Sequence, residues 1–301
     1  MHIHDELDRP VTSKVLVLSL ILTLLFAVVE AVSGWWSHSL ALIGDAGHMV
    51  SDSFALGLAA AATWLARQPP SARHSYGFGR TEVIAALTNG LIMLAIVVWI
   101  FMEAVARIQS PEQVIGSAVM IVAGIGLLVN VVIAVALHRG EQTLNVRAAL
   151  LHVMGDILGS IAALVSGVVI YLSGWLMIDP ILSIFICILI LISSVRLLRE
   201  AMHVLMEGVP LHIDLPEVGT AIAGEDKNVI SVHDLHIWSL SSGVIALSAH
   251  VVVKDLSEWD RLLAHIREML DERFGIKHVT LQPETSTHVI QPMAYRSVER
   301  K

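Results

Sequence analysis

The sequence predicts a membrane α-helical fold: six transmembrane helices followed by a small cytoplasmic α+β domain of order α-β-β-α-β. Apolar residues make up 55% of the 301 residues and charged residues only 15%, well outside the globular average. The charge is also unevenly placed, because residues 1–207 hold 24 of the 46 charged side chains and the much shorter remainder holds the other 22. Six apolar stretches are each long enough to cross roughly 30 Å of hydrocarbon. A composition break near Glu207–Pro210 therefore separates a transmembrane domain over 1–207 from a soluble domain over 208–292, with a loose tail over 293–301.

The spans are expected at 13–35, 40–66, 82–106, 114–138, 146–173 and 179–200. Lys14 precedes the first apolar run, but Val15–Val32 is longer than the core of a signal peptide and comparable runs follow it, so it reads as a span. Pro69-Pro70 closes the second span, since two successive prolines cannot continue a helix. Asp179-Pro180 reads as an N-cap and a first-turn proline opening the sixth. The connections at 36–39, 108–112 and 173–178 carry no Lys or Arg, and Arg107 is the only basic residue on that side. Nine Lys and Arg residues, from Arg9 to Arg199, fall on the other, which places both termini in the cytoplasm. The short tails suit a bacterial inner membrane.

From Leu211 the pattern changes. A short helix is expected over Leu215–Gly224 after the turn residue Asp214. Val229–Leu240 and Val244–Val253 alternate as strands joined by Ser-Ser-Gly. Leu256–Phe274 has helical period with a stop at Gly275, and His278–Gln282 is the last strand. A three-stranded sheet with both helices on one face is the natural packing.

One motif occurs twice in the apolar part: His48-Met-Val-Ser-Asp52 and His152-Val-Met-Gly-Asp156. Residues four apart share a helix face, so each copy presents an imidazole beside a carboxylate. Two such faces meeting supply two nitrogens and two oxygens, a set suited to tetrahedral Zn²⁺. One pair alone could simply link two helices. Two pairs of the same order on separate spans argue for function, because ionisable groups at membrane depth are costly. Two carboxylates would balance the charge of a dication, and histidine titrates near neutrality, so protons can replace the metal. Metal–proton exchange follows as the expected mechanism.

Other residues narrow the chemistry. Cys187 is the only cysteine and lies in an apolar run as a packed or lipid-facing residue, so neither a disulfide framework nor a thiolate site for Cu(I) is expected. A net charge of −8 without a basic cluster argues against a nucleic-acid partner. Asp45 lies three residues before His48 on nearly the same face, as an entrance group, a proton acceptor or a supporting hydrogen-bond partner. Glu30, Asn89 and Asn130 either line a hydrated path or link helices. An intramembrane metalloprotease would need Glu in H-E-x-x-H, but Met49 and Val153 stand there, so no enzyme is expected. A membrane-anchored metal sensor is the rival from another class, and it would not need paired intramembrane sites.

Several stretches together carry a resemblance: Ser39-Leu-Ala-Leu-Ile-Gly-Asp45-Ala-Gly-His48-Met-Val-Ser-Asp52, His74-Ser-Tyr-Gly-Phe-Gly-Arg80, the second HxxxD, and His233-Asp-Leu-His236-Ile-Trp238. Over nearly its whole length the chain resembles the cation diffusion facilitators, in their zinc-exporting branch. The resemblance implies a six-span homodimer in the lipid bilayer that exports Zn²⁺ in exchange for H⁺ by alternating access. It implies His48, Asp52, His152 and Asp156 as the transport site, with His48 matching the zinc-preferring pattern; Cd²⁺, Co²⁺, Ni²⁺ and Fe²⁺ remain alternative substrates. By position it implies His233, His250 and Glu284 as a cytoplasmic site for regulatory zinc. Strand alternation puts His236 on the opposite face from His233. Arg80 and Glu207 match the family's charge pair at the membrane boundary, where a dimer interlock forms. The loop at 71–78 keeps only His74 of the family's additional loop site, so no metal is expected there.

Overall fold

The computed structural model describes residues 10–139, 144–241, 243–285 and 294–295. Six long helices come first: α1 (Pro10–Ser37), α2 (Leu40–Ala66), α3 (Thr81–Gln109), α4 (Gly116–Arg139), α5 (Leu144–Ser173) and α6 (Ile178–Leu205). Among the described residues α2 to α6 each contain a stretch long and apolar enough to cross a membrane, and α1 contributes the shorter apolar stretch Ile21–Ser37. The chain divides into two compact units, one of residues 1–58 and 88–198 and the other of residues 59–87 and 199–301.

In the first unit the helices meet through small side chains. Ala41, Ala123, Ala162 and Ala163 are buried beside Leu42, Val97, Ile100 and Ile186, while Trp99, Leu128, Ile161 and Ile192 point outward. Where lipid is as apolar as the helix surface, close backbone approach and polar links must supply the association. The links are present. Ser51 donates to Asn89 Oδ1 at 3.1 Å between α2 and α3, and Asn130 donates to Ser160 Oγ at 3.2 Å between α4 and α5. Cys187 is packed rather than lipid-facing, at 2% exposure. Arg107 is held by Glu103 at 3.0 Å, Glu112 at 3.1 Å and the carbonyl of His38 at 2.5 Å.

Asp179 departs from its expected role. It lies inside the first turn of α6, and its carboxylate caps α2 instead, accepting from Leu40 N at 2.7 Å, Ser39 Oγ at 2.6 Å and Ser166 Oγ at 3.1 Å. The N-terminal N–H groups of α2 have no partner within their own helix, and a buried carboxylate from a neighbour satisfies them as well as a local cap would.

In the second unit α7 (Leu215–Gly224) starts at Asp214, whose side chain accepts from Glu217 N at 3.1 Å. Strand β1 (Val229–Ser241) pairs antiparallel with β2 (Val244–Val253), and β3 (His278–Thr285) lies parallel to β2. Between them α8 (Trp259–Phe274) ends at Gly275, which takes the left-handed conformation at φ 68°. The helix starts three residues later than expected because Asp255 turns the chain, accepting from Ser257 N at 2.9 Å. Val218, Ile222, Val232, Leu235, Ile237, Leu247, Ile266 and Leu270 form the core between sheet and helices.

Two expectations are corrected here. The sheet has four strands in the order β3-β2-β1-β4, because β4 (Ala294–Tyr295), in the tail expected to be loose, pairs with β1 at Val232 and His233. A two-residue strand carries no alternation to detect. Further, β1 contains a bulge: His233 pairs with His250 and His236 with Ser248, so three steps on β1 match two on β2. The extra residue reverses the alternation, and His233 and His236 emerge on the same face, opposite the core residues Val232, Leu235 and Ile237.

Candidate metal centre

The two HxxxD motifs sit on α2 and α5 and face each other crosswise. His152 Nε2 lies 3.4 Å from Asp52 Oδ2, and His48 Nε2 lies 3.9 Å from Asp156 Oδ1. Within each motif His48 Nδ1 is 3.5 Å from Asp52 Oδ2 and His152 Nε2 is 3.7 Å from Asp156 Oδ2. The same residue order on two helices running in opposite directions sets a histidine opposite an aspartate at both levels. Each level thus offers one nitrogen and one oxygen.

These separations are informative. Bonds of about 2.0–2.2 Å to a tetrahedral Zn²⁺ place neighbouring ligand atoms roughly 3.3–3.6 Å apart, which fits the 3.4 Å and 3.5 Å from Asp52 Oδ2 to His152 Nε2 and His48 Nδ1; the two spacings to Asp156 are longer. As direct hydrogen bonds the same spacings are too long. Consistently, His48 Nδ1, Asp52 Oδ2 and both carboxylate oxygens of Asp156 are buried without a hydrogen-bond partner. Side-chain exposure falls from 40% at His152 and 25% at Asp52 to 21% at His48 and 1% at Asp156. The group is therefore open at the Asp52–His152 level and closed at Asp156.

Asp45 lies one turn beyond His48 on the closed side, 1% exposed, and accepts a hydrogen bond from Ser160 Oγ at 3.2 Å. Ser160 escapes detection in the sequence, because a serine in an apolar helix is common and carries no signal of its own.

A second group stands on the open face of the sheet, one side chain per strand. Glu284 on β3 meets His233 Nε2 of β1 at 3.0 Å and His250 Nδ1 of β2 at 2.5 Å. The hydrogen bond from His250 outweighs the opposing effect of burial and, with the hydrogen bond from His233 and the charge of both imidazoles, holds the Glu284 carboxyl below the usual carboxylate range. Two imidazoles and a carboxylate within 4.8 Å of one another can hold a metal ion. The bulge adds what the sequence did not reveal: Asp234, at φ 52°, places its carboxylate 3.1 Å from His236 and 3.7 Å from His250. His278 stands at the start of β3, six residues from Glu284, with its ring 6.1 Å from that of Tyr76.

Arg80 and Glu207, distant in sequence, form an exposed ion pair at 2.9 Å. His74 sits in a turn closed by backbone hydrogen bonds with Ser71, its ring 4.6 Å from that of Phe78.

Comparison with known proteins agrees with this layout. The family model described as the cation efflux transmembrane domain matches residues 16–206, and that of the cation efflux protein cytoplasmic domain matches residues 210–286. The chain is 39% identical over 293 residues to the cadmium, cobalt and zinc/H(+)-K(+) antiporter of Bacillus subtilis, covering 95% of this chain and 93% of that one. It is 40% identical over 261 residues to the zinc transporter ZitB of Escherichia coli, covering 86% and 83%. With the metal cation efflux system protein CzcD of Cupriavidus metallidurans the identity is 36% over 285 residues, covering 94% and 89%. Two HxxxD motifs brought together on apolar helices, a sheet bearing a His, His and Glu group, and matches across both parts lead to one conclusion: this chain belongs to the cation efflux, or cation diffusion facilitator, family of transporters.

Proposed function

We propose that this protein is a six-span antiporter that exports Zn²⁺ from the cytoplasm in exchange for H⁺ by alternating access. It acts as a homodimer with both termini in the cytoplasm, in a bacterial inner membrane. The observation that carries this reading is the crosswise set on α2 and α5: His48, Asp52 and His152 offer two nitrogens and an oxygen within 4.8 Å of one another, and Asp156 stands 3.7 Å from His152 and 3.9 Å from His48. The greater exposure of His152 and Asp52 supports a loading route from the end at which α2 finishes and α5 begins. Positive-inside counting makes that end cytoplasmic. The imidazoles bind metal only when deprotonated, which couples metal occupancy to proton release.

His233, His250 and Glu284 form a second zinc site in this reading, one that senses cytoplasmic metal. The printed name of the Bacillus relative includes cadmium and cobalt, and the same ligand set accepts those ions, so efflux of other divalent metals is the alternative.

The test uses purified protein in sealed vesicles with a zinc dye inside and an imposed pH gradient. Losing even a group that supports a metal ligand costs about 10–100-fold, so losing a ligand outright should cost at least about 100-fold. Asp52→Ala and Asp156→Ala should therefore abolish zinc uptake while the protein stays folded. Retained uptake in either variant rejects the site.

A further inference from the structure

Just beyond the four metal ligands, on the side where Asp156 closes the group, a second polar cluster draws one residue from each of four helices. Glu30 comes from α1, Asp45 from α2, Asn130 from α4 and Ser160 from α5, and all four are at most 1% exposed. Ser160 donates to Asp45 Oδ2 at 3.2 Å and receives from Asn130 Nδ2 at 3.2 Å. The chain of hydrogen bonds then stops. Asn130 Oδ1 has no partner, and neither carboxylate oxygen of Glu30 has one.

Glycine backbone approaches both carboxyl groups closely. A Cβ on Gly126 of α4 would lie 2.8 Å from Glu30 Oε1, and one on Gly159 of α5 would overlap the Asp45 carboxylate. The titratable groups acting on Glu30 are Asp45 from α2 and Asp156 from α5; α4 contributes only the neutral Asn130. No Lys or Arg occurs anywhere in residues 21–66, 116–138 or 148–195 to balance them. An ionised carboxylate buried without a partner is expelled or neutralised by whatever cation is at hand.

We propose that Glu30, backed by Asp45, Ser160 and Asn130, is a dedicated proton site of the exchange cycle, separate from the four metal ligands. The donors are all oxygen, which disfavours Zn²⁺ against the mixed set one turn away. A proton is the one cation that needs no cavity, and both carboxylates are pressed against glycine backbone. The proton leaves Glu30 as zinc fills His48, Asp52, His152 and Asp156, and it returns as zinc departs; like-charge repulsion between Glu30, Asp45 and Asp156 is relieved by one cation or the other. This inference rests on the metal–proton exchange proposed above and assigns part of the proton load to a residue that touches no metal.

The full-length protein in weakly buffered detergent solution with a pH dye tests it. Zinc is titrated in, and the protons released per zinc bound are counted. Glu30→Gln is expected to release about one proton fewer than the wild type, and its zinc affinity should depend less steeply on pH. Glu30→Asp, which keeps the acid, should restore most of the release; if Glu30→Gln does not fold, Glu30→Ala takes its place, where a release lower by about one proton supports the site and an unchanged count overturns it. An unchanged proton count in folded Glu30→Gln overturns the proposal, as does zinc binding by the wild type that depends on K⁺ and loses that dependence in Glu30→Gln. Failure of the underlying exchange reading looks different: the wild type itself would then release no protons on binding zinc.

Discussion

Glu284 links the strands of the sheet and is also a proposed metal ligand. It joins His233 and His250 across three strands, and those contacts stabilise its charged form, which holds its pKa below the ordinary value of 4.5. A depressed carboxylate adds stability that is fully present above its unfolded pKa and disappears as pH falls through its folded one. Metal-free protein should therefore lose this contribution only under acid conditions. Compared with Glu284→Gln in the presence of a chelator, the wild type should have the higher unfolding temperature near neutral pH. The gap should narrow as pH is lowered through and below the ordinary carboxyl range. A gap independent of pH would show that the Glu284 charge contributes nothing to the sheet. Added zinc should widen the gap at neutral pH, since a ligand that binds only the folded state stabilises it by mass action.

At the scale of the elements, α2 is positioned by a residue from outside itself. Asp179 gathers Leu40 N and the hydroxyls of Ser39 and Ser166, so the start of the helix that carries Asp45, His48 and Asp52 is fixed to α5 and α6. Hydrogen bonds to a buried charge contribute more than neutral ones, and Asp179→Ala leaves three donors unsatisfied, so a destabilisation of about 2–4 kcal/mol is expected. Zinc affinity should fall as well, because the displaced helix carries His48 and Asp52, two of the four proposed ligands. Asp179→Asn keeps the acceptor and should recover much of both, measured by thermal unfolding and by zinc titration in detergent. Wild-type stability in Asp179→Ala would reject this account. The element also shows what could be read in advance. Apolar length was enough to place α2 and α5, and the repeated HxxxD spacing to put His48 with Asp52 and His152 with Asp156 on one face of each helix, because helical periodicity is local. The partner of Asp179 was not legible: its sequence neighbour Pro180 suggested a cap for α6, whereas the contact spans 139 residues. Alternation misjudged His236 for a related reason, since a single bulge reverses every side chain beyond it.

At the scale of the whole molecule, Arg80 and Glu207 join the chain between α2 and α3 to the segment leaving α6. Both side chains are substantially exposed, at 39% and 62%, so by itself the 2.9 Å pair should contribute less than about 1 kcal/mol to stability. Glu207 occupies the left-handed region at φ 58° because it closes α6: its N–H bonds the Val204 carbonyl at 3.1 Å, and the Gly208 N–H bonds the His203 carbonyl at 2.9 Å. A pair worth so little to stability is proposed to act in the transport cycle or in dimer geometry, as the family resemblance implies. Arg80→Glu and Glu207→Arg should each lower zinc flux in vesicles while shifting the unfolding temperature little. The double exchange, which restores opposite charges, should recover flux, and raising the salt concentration should weaken the coupling between the two sites because exposed charges are screened. Light scattering on the same samples separates a lost dimer from a stalled cycle: a dimeric but inactive single variant assigns the pair to movement, and a monomeric one assigns it to assembly. Full flux in both single variants would reduce the pair to a surface contact.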